Sequence, residues 1–165
     1  MSSYRIISLF SVLLLHGCGF QPLYGKNNHE NLAGSSRIFI NPIPSRRGQI
    51  LRNNLYFTLN PKGHTLKPIY TLNIQIEENT TSLAVRKNAI ATRANLTLRA
   101  KFNLNSIQDE KLLFSGNYDI TVSYNILDNE YATLAAEKNA VERGLLATSQ
   151  GIRTQLGSYF SRINN

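Results

Sequence analysis

Residues 90–104 read IATRANLTLRAKFNL. The even positions include Ala94, Leu96, Leu98, Phe102 and Leu104, and the odd positions include Arg93, Asn95, Thr97, Arg99, Lys101 and Asn103. Successive side chains of an extended chain point to opposite faces, so this period of two predicts a strand with one apolar and one polar side. The flanking sequence repeats the pattern. Tyr70, Leu72, Ile74 and Ile76 alternate with Thr71, Asn73, Gln75 and Glu77. From Leu112 to Ile126 the even positions carry Phe114, Tyr118, Ile120, Val122, Tyr124 and Ile126 opposite Asn117, Asp119, Thr121, Ser123 and Asn125. Turn-forming residues separate the three runs at Arg86-Lys87-Asn88 and from Ser106 to Glu110, so two antiparallel hairpins are the simplest connection. Such alternation predicts a sheet covered on one side only.

The cover must come from helices. Arg37-Ile38-Phe39-Ile40 is a short β-rich run that stops at Asn41-Pro42, where proline removes a ladder donor. Pro44-Ser45 then opens a helix, with Ser45 as its N-cap. Leu51, Leu55 and Leu59 form its inward stripe with Tyr56 beside it, while Arg46, Arg47, Arg52 and Asn53 are mainly left for solvent; Pro61 and Gly63 end it. After Asn129 the chain has no proline, and Leu134, Val141, Leu145, Ile152, Leu156, Tyr159 and Ile163 recur at helical steps behind a cap at Asp128 or Asn129. Gly144, Gly151 and Gly157 each cost up to about 1 kcal/mol relative to alanine in a helix. Gly144 and Gly151 either permit a close approach to the sheet or the first helix or are merely tolerated. The expected fold is α+β, a two-layer sandwich with two helices on one face of a four-stranded, mainly antiparallel sheet, in the order β-α-β-β-β-α. Residues 37–165 form this single domain.

The N-terminal residues carry an address. Arg5 precedes an almost uncharged run from Ile6 to Leu15, too short to span a bilayer, and Gly17 stands just before Cys18, the sole cysteine. With no second cysteine an intramolecular disulfide is excluded, and an odd thiol in an exported chain needs another use. Leu15-His16-Gly17-Cys18 resembles the lipobox of bacterial lipoproteins, although His16 occupies a place where small residues usually stand. Residues 1–17 are therefore expected to be a signal peptide, Cys18 the acylated residue, and 18–36 a tether to the domain. By analogy with such lipoproteins, Gly19 directs the protein to the outer membrane.

Without its signal the chain has 148 residues, and the loss of Arg5 leaves 17 basic against 10 acidic side chains, a formal +7. That balance suits an anionic partner or simple surface solvation. A basic nucleic-acid module would match the charge, but the export signal puts it in the wrong compartment. Catalytic constellations are nearly absent. His29 and His64 lie far apart in loop-like sequence without metal-ligand spacing, and there is neither a glycine-rich phosphate loop nor a GxSxG elbow. No metal, cofactor or enzymatic activity is expected. What remains is the polar side of the sheet. A solvated face is the first reading of such residues, and the wet interior of a large barrel is the alternative.

Over essentially the whole mature chain the sequence resembles the LPS-assembly lipoproteins of the LptE type, in their alphaproteobacterial branch. The resemblance rests on Cys18-Gly19-Phe20-Gln21-Pro22-Leu23-Tyr24-Gly25, on Val85-Arg86-Lys87 before the third strand, and on Ser123-Tyr124-Asn125 with Tyr131-Ala132 entering the last helix. It implies a non-enzymatic role in lipopolysaccharide transport, as plug and assembly partner of the outer-membrane barrel LptD, with direct lipopolysaccharide binding by basic residues around the turn between the second and third strands. Arg86 falls on the matching position, with Lys87 and Arg93 beside it. Ala136 occupies the place of a second basic residue in an ungapped alignment, and Lys138 is the nearest substitute. The surface facing the barrel would comprise Asn95, Thr97, Arg99, Lys101, Asn117, Thr121 and Ser123. Rival readings are a stand-alone periplasmic lipid-binding lipoprotein, marked by a closed apolar pocket, and an exported enzyme, marked by convergent polar groups in a concave site.

Overall fold

The computed structural model describes residues 37–60, 67–84 and 91–163. The elements are β1 (Ile38–Ile40), α1 (Arg46–Leu59), β2 (Tyr70–Ala84), β3 (Ala91–Ser106), β4 (Leu112–Asn125) and α2 (Glu130–Ile163). The order β-α-β-β-β-α is the expected one. The sheet runs β1-β2-β3-β4, with β1 parallel to β2 and the other pairs antiparallel. Signal peptide, Cys18, tether, Pro61, Gly63 and Val85-Arg86-Lys87 lie outside the described residues.

Strand β3 is the central plank. Ala94, Leu96, Leu98, Ala100, Phe102 and Leu104 are all buried, because β3 has a neighbour on each side and helices on one face. Strand β4 is an edge, so the same alternation leaves Phe114, Tyr118, Ile120, Val122 and Tyr124 only half-buried. Sixteen residues of β3 extend about 53 Å at roughly 3.3 Å each. The thirty-four residues of α2 reach about 51 Å at 1.5 Å each, so one unbroken helix matches the strand's length. Its buried stripe is Ala140, Val141, Gly144, Leu145, Thr148, Ser149, Ile152, Leu156 and Phe160.

The structure differs from the sequence reading at three places. The inward row on α2 was expected to run from Leu134 to Ile163, but those two end residues are 63% and 59% exposed. The first turns of α2 follow the end of β4 directly, at the end of the sheet where β2 carries Glu78, Thr80 and Ser82 in place of apolar residues. Second, β2 runs seven residues past Glu77, to Ala84, held by its pairing to β3 even where both faces are polar. Third, two of the α1 cations expected in solvent are engaged. Arg52 donates from Nε to the Ile40 carbonyl at 3.0 Å and from Nη2 to the Tyr56 hydroxyl at 3.1 Å, with its guanidinium 4.9 Å from the Tyr56 ring centre, which fastens α1 to the end of β1. Arg47 forms ion pairs with Glu78 of β2 and, at 3.4 Å, Glu137 of α2. Its hydrogen bond to Glu78 is the largest cause raising its pKa above the ordinary arginine value. These groups are partly exposed, so each pair contributes well under about 1 kcal/mol.

The caps follow the sequence. Ser45 Oγ accepts from Gly48 N–H at 3.1 Å, and Asn129 Oδ1 accepts from Ala132 N–H at 3.2 Å. Gly144 and Gly151 meet the sheet rather than α1. A Cβ at Gly144 would lie 2.7 Å from Leu98 Cδ1, and one at Gly151 would clash with the ring of Tyr118. Gly157 faces open space.

Candidate functional site: the open face of the sheet

Facing away from the helices, the sheet presents its odd-numbered residues in rows set by the strand register. One row is Leu83, Arg93 and Asn125; the next are Thr81, Asn95 and Ser123, then Asn79, Thr97 and Thr121. Glu77, Arg99 and Asp119 follow, then Gln75, Lys101 and Asn117, and then Asn73, Asn103 and Ser115. All seven residues assigned from the sequence to a barrel-facing surface lie on this face.

Side chains in the middle rows bond across the strands. Ser123 donates to Asn95 Oδ1 at 2.7 Å, and the Thr97 and Thr121 hydroxyls are 3.0 Å apart. Arg99 Nε donates to Asp119 Oδ2 at 2.9 Å, and that bond is the largest cause raising the Arg99 pKa above its ordinary value. Lys101 Nζ stands 3.6 Å from Glu77 Oε1. The charges in the middle of the face are therefore matched in sign, and the rest is neutral hydrogen-bonding surface. Neutral cross-strand pairs such as Ser123 with Asn95 and Thr97 with Thr121 stabilise a sheet by roughly 0.2–1 kcal/mol each. The ion pairs leave the central charges of the face paired with opposite charges.

Arg93 is exposed on the same face, at the end where β2 and β3 approach the turn. Lys138 is exposed on α2, so the sheet lies between it and Arg93. Arg86 and Lys87 belong to the undescribed segment between β2 and β3. Sequence reading missed the contribution of β2 beyond Glu77, namely Asn79 and Thr81. Their alternation was visible, but no apolar residue on the opposite side marked it as strand. The pairing of Arg99 with Asp119 and of Lys101 with Glu77 was also missed, because it depends on register.

Among the described residues no group of three or more His, Cys, Asp or Glu side chains could hold a metal ion, and no helix is long and apolar enough to cross a membrane.

No protein-family profile matches the chain. An uncharacterized protein of Rickettsia prowazekii is 25% identical over 150 residues, spanning 90% of this chain and 92% of its own. Among solved structures, a candidate lipoprotein of Caulobacter crescentus CB15 superposes with a TM-score of 0.66 at 22% identity, covering 81% of this chain and 98% of that one. The rare lipoprotein B of Shewanella oneidensis superposes with a TM-score of 0.60 at 9% identity, covering 78% and 98%. An uncharacterized lipoprotein B of Nitrosomonas europaea gives 0.58 at 17% identity, covering 76% and 84%. At these identities the likeness is one of fold, and the fold is one found among bacterial lipoproteins.

Proposed function

We propose that this protein is a non-enzymatic outer-membrane lipoprotein, anchored through acylated Cys18, that plugs an LptD-type β-barrel and assists lipopolysaccharide transport and assembly. The observation that carries the reading is the open face. It has long rows of Asn, Thr and Ser with matched ion pairs, bonded across the strands, and such a surface suits the polar interior of a large barrel. An enzyme would need convergent polar groups in a concave site, whereas these groups stand side by side in rows along the strands. The lipobox-like Leu15-His16-Gly17-Cys18 and a fold shared with lipoproteins support the location.

Detergent extraction of the native protein from outer membranes is expected to bring down a large barrel. Replacing Thr97 and Thr121 together by Glu sets two like charges opposite each other, at a cost to the sheet of about 1 kcal/mol or less. That variant is expected to stay folded and lose the barrel. A wild-type protein that never carries a barrel sinks the proposal.

Lipopolysaccharide phosphates would be met by the basic residues at the β2–β3 end, arginine by forked hydrogen bonds and lysine as a point charge. Charge reversal at Arg86, Lys87 and Arg93, with Lys138 as a separate arm, is expected to weaken lipopolysaccharide binding by an order of magnitude or more and leave the circular dichroism unchanged. Unaltered binding assigns those cations to solvation.

A further inference from the structure

The open face is polar along its length but not at its ends. Of the large apolar residues exposed there, Leu83 lies at the β2–β3 end, whereas Phe39, Ile69, Ile107 and Leu112 gather at the opposite end. Phe39 pairs with Thr71, Thr71 with Asn105, and Asn105 with Leu112, so Phe39 and Leu112 close one row at its two sides. Ile69 and Ile107 continue into the next row, where Ile107 N–H donates to the Ile69 carbonyl at 3.0 Å and Ile69 N–H donates to that of Arg37. The four are 39%, 37%, 43% and 53% exposed. Single exposed apolar residues are ordinary; four on adjoining rows of an otherwise polar face are not.

Exposed cations frame this patch, one within two residues of three of its members: Arg37 before Phe39, Lys67 before Ile69 and Lys111 before Leu112. The nearby turn also carries Asp109 and Glu110. A hydrogen bond from Ser106 holds the Asp109 carboxyl below its usual range and turns it back on the turn itself. Apolar tips rimmed by Lys and Arg are the composition of a surface that rests in the interface of an anionic bilayer. The chain enters the domain at Arg37, so residues 18–36 join it at this same end. Nineteen residues reach roughly 60 Å at most when extended, about the length of the sheet. A tether of that reach does not by itself choose which end of the domain meets the membrane.

We propose that Phe39, Ile69, Ile107 and Leu112, with Arg37, Lys67 and Lys111, form a membrane seat that docks this end of the sheet on the anionic bilayer surface carrying the Cys18 anchor. The inference rests on the lipoprotein reading and is independent of any barrel. Four partly exposed side chains bind a bilayer weakly when free, but the anchor makes the encounter intramolecular, so weak contacts suffice to orient the domain. The sheet then stands away from the bilayer, with Arg93 at its far end, before any barrel is engaged.

The chain contains no tryptophan, so one introduced residue reports alone. Full-length protein, exported and acylated in cells, is reconstituted into phosphatidylethanolamine and phosphatidylglycerol vesicles with brominated acyl chains. Leu112→Trp is expected to be quenched and blue-shifted, while Leu134→Trp, exposed on the first turns of α2 at the opposite end of the domain, is neither; circular dichroism checks that both are folded. Charge reversal of Lys67 and Lys111 in the Leu112→Trp background is expected to lose the quenching. Vesicles that carry the protein without quenching at Leu112 overturn the seat and leave the anchor standing. Protein that fails to float with the vesicles overturns both. Quenching that survives charge reversal overturns the role given to the cations.

Discussion

Gly151→Leu is expected to lower the stability of the domain by about 2–3 kcal/mol, even though leucine is the better helix former by up to about 1 kcal/mol. The reason lies in the spacing between α2 and β4. A Cβ at position 151 would clash with Cε2, Cδ2 and Cζ of Tyr118, all three closer than van der Waals contact allows, so the whole ring or the helix must move. Moving the helix also disturbs Gly144, where a Cβ would meet fully buried Leu98 at 2.7 Å and Val122 at 3.4 Å. Gly157 supplies the internal control. It lies on the same helix with nothing near its missing Cβ, and Gly157→Ala is expected to stabilise by about 0.5–1 kcal/mol through helix propensity alone. Urea midpoints of the two variants should move in opposite directions. If both rise, α2 does not sit where the structure puts it.

Phe102→Ala is expected to cost about 3–5 kcal/mol, enough to unfold much of a marginal domain. Phe102 is buried in the central strand beneath Gly116, whose added Cβ would stand 2.6 Å from Phe102 Cζ. It is also the inner member of an aromatic chain. Its ring is 6.0 Å from that of Phe114, Phe114 stacks on Tyr159 at 5.1 Å, Tyr159 meets Phe160 at 5.4 Å, and Phe160 meets Tyr70 at 5.3 Å. Deleting Phe102 leaves a cavity under β4 and loosens the contact that joins β2, β3, β4 and α2 at one end of the sheet. Phe57→Ala, at a largely exposed site on α1, should change the urea midpoint little. Similar losses at both positions would contradict the core described above.

Several features of the fold were legible because they are local. The even residues from Ala94 to Leu104 had to share one side of a strand, since alternation is a property of the extended backbone whatever surrounds it. Leu51, Leu55 and Leu59 had to share one side of a helix for the same reason, and all three are buried. Ser45 and Asn129 cap through bonds to residues three positions away. The candidate site was legible to the same extent. Asn95, Thr97, Arg99 and Lys101 on β3, and Asn117, Thr121 and Ser123 on β4, were assigned to one surface by period alone.

Where the local signal was silent or misleading, distant residues decided. Glu78, Thr80 and Ser82 broke the apolar period of β2, yet the strand continues because β3 offers backbone partners as far as Ala91. Leu134 kept the helical period but is exposed, at the end of the sheet where β2 carries polar residues. Arg47 and Arg52 resembled solvent-facing cations until α1 was placed against Ile40, Glu78 and Glu137.

The sequence by itself thus determined which residues share a face and in what order the elements come, because dihedral geometry and side-chain periodicity act over a few residues. Only the tertiary structure decided the strand register that pairs Arg99 with Asp119 and Lys101 with Glu77. It alone decided the close approach at Gly144 and Gly151, and the gathering of Phe39, Ile69, Ile107 and Leu112 at the end where the chain enters. Those outcomes depend on packing between residues far apart in the chain, and no local period records which distant surface a given face will meet.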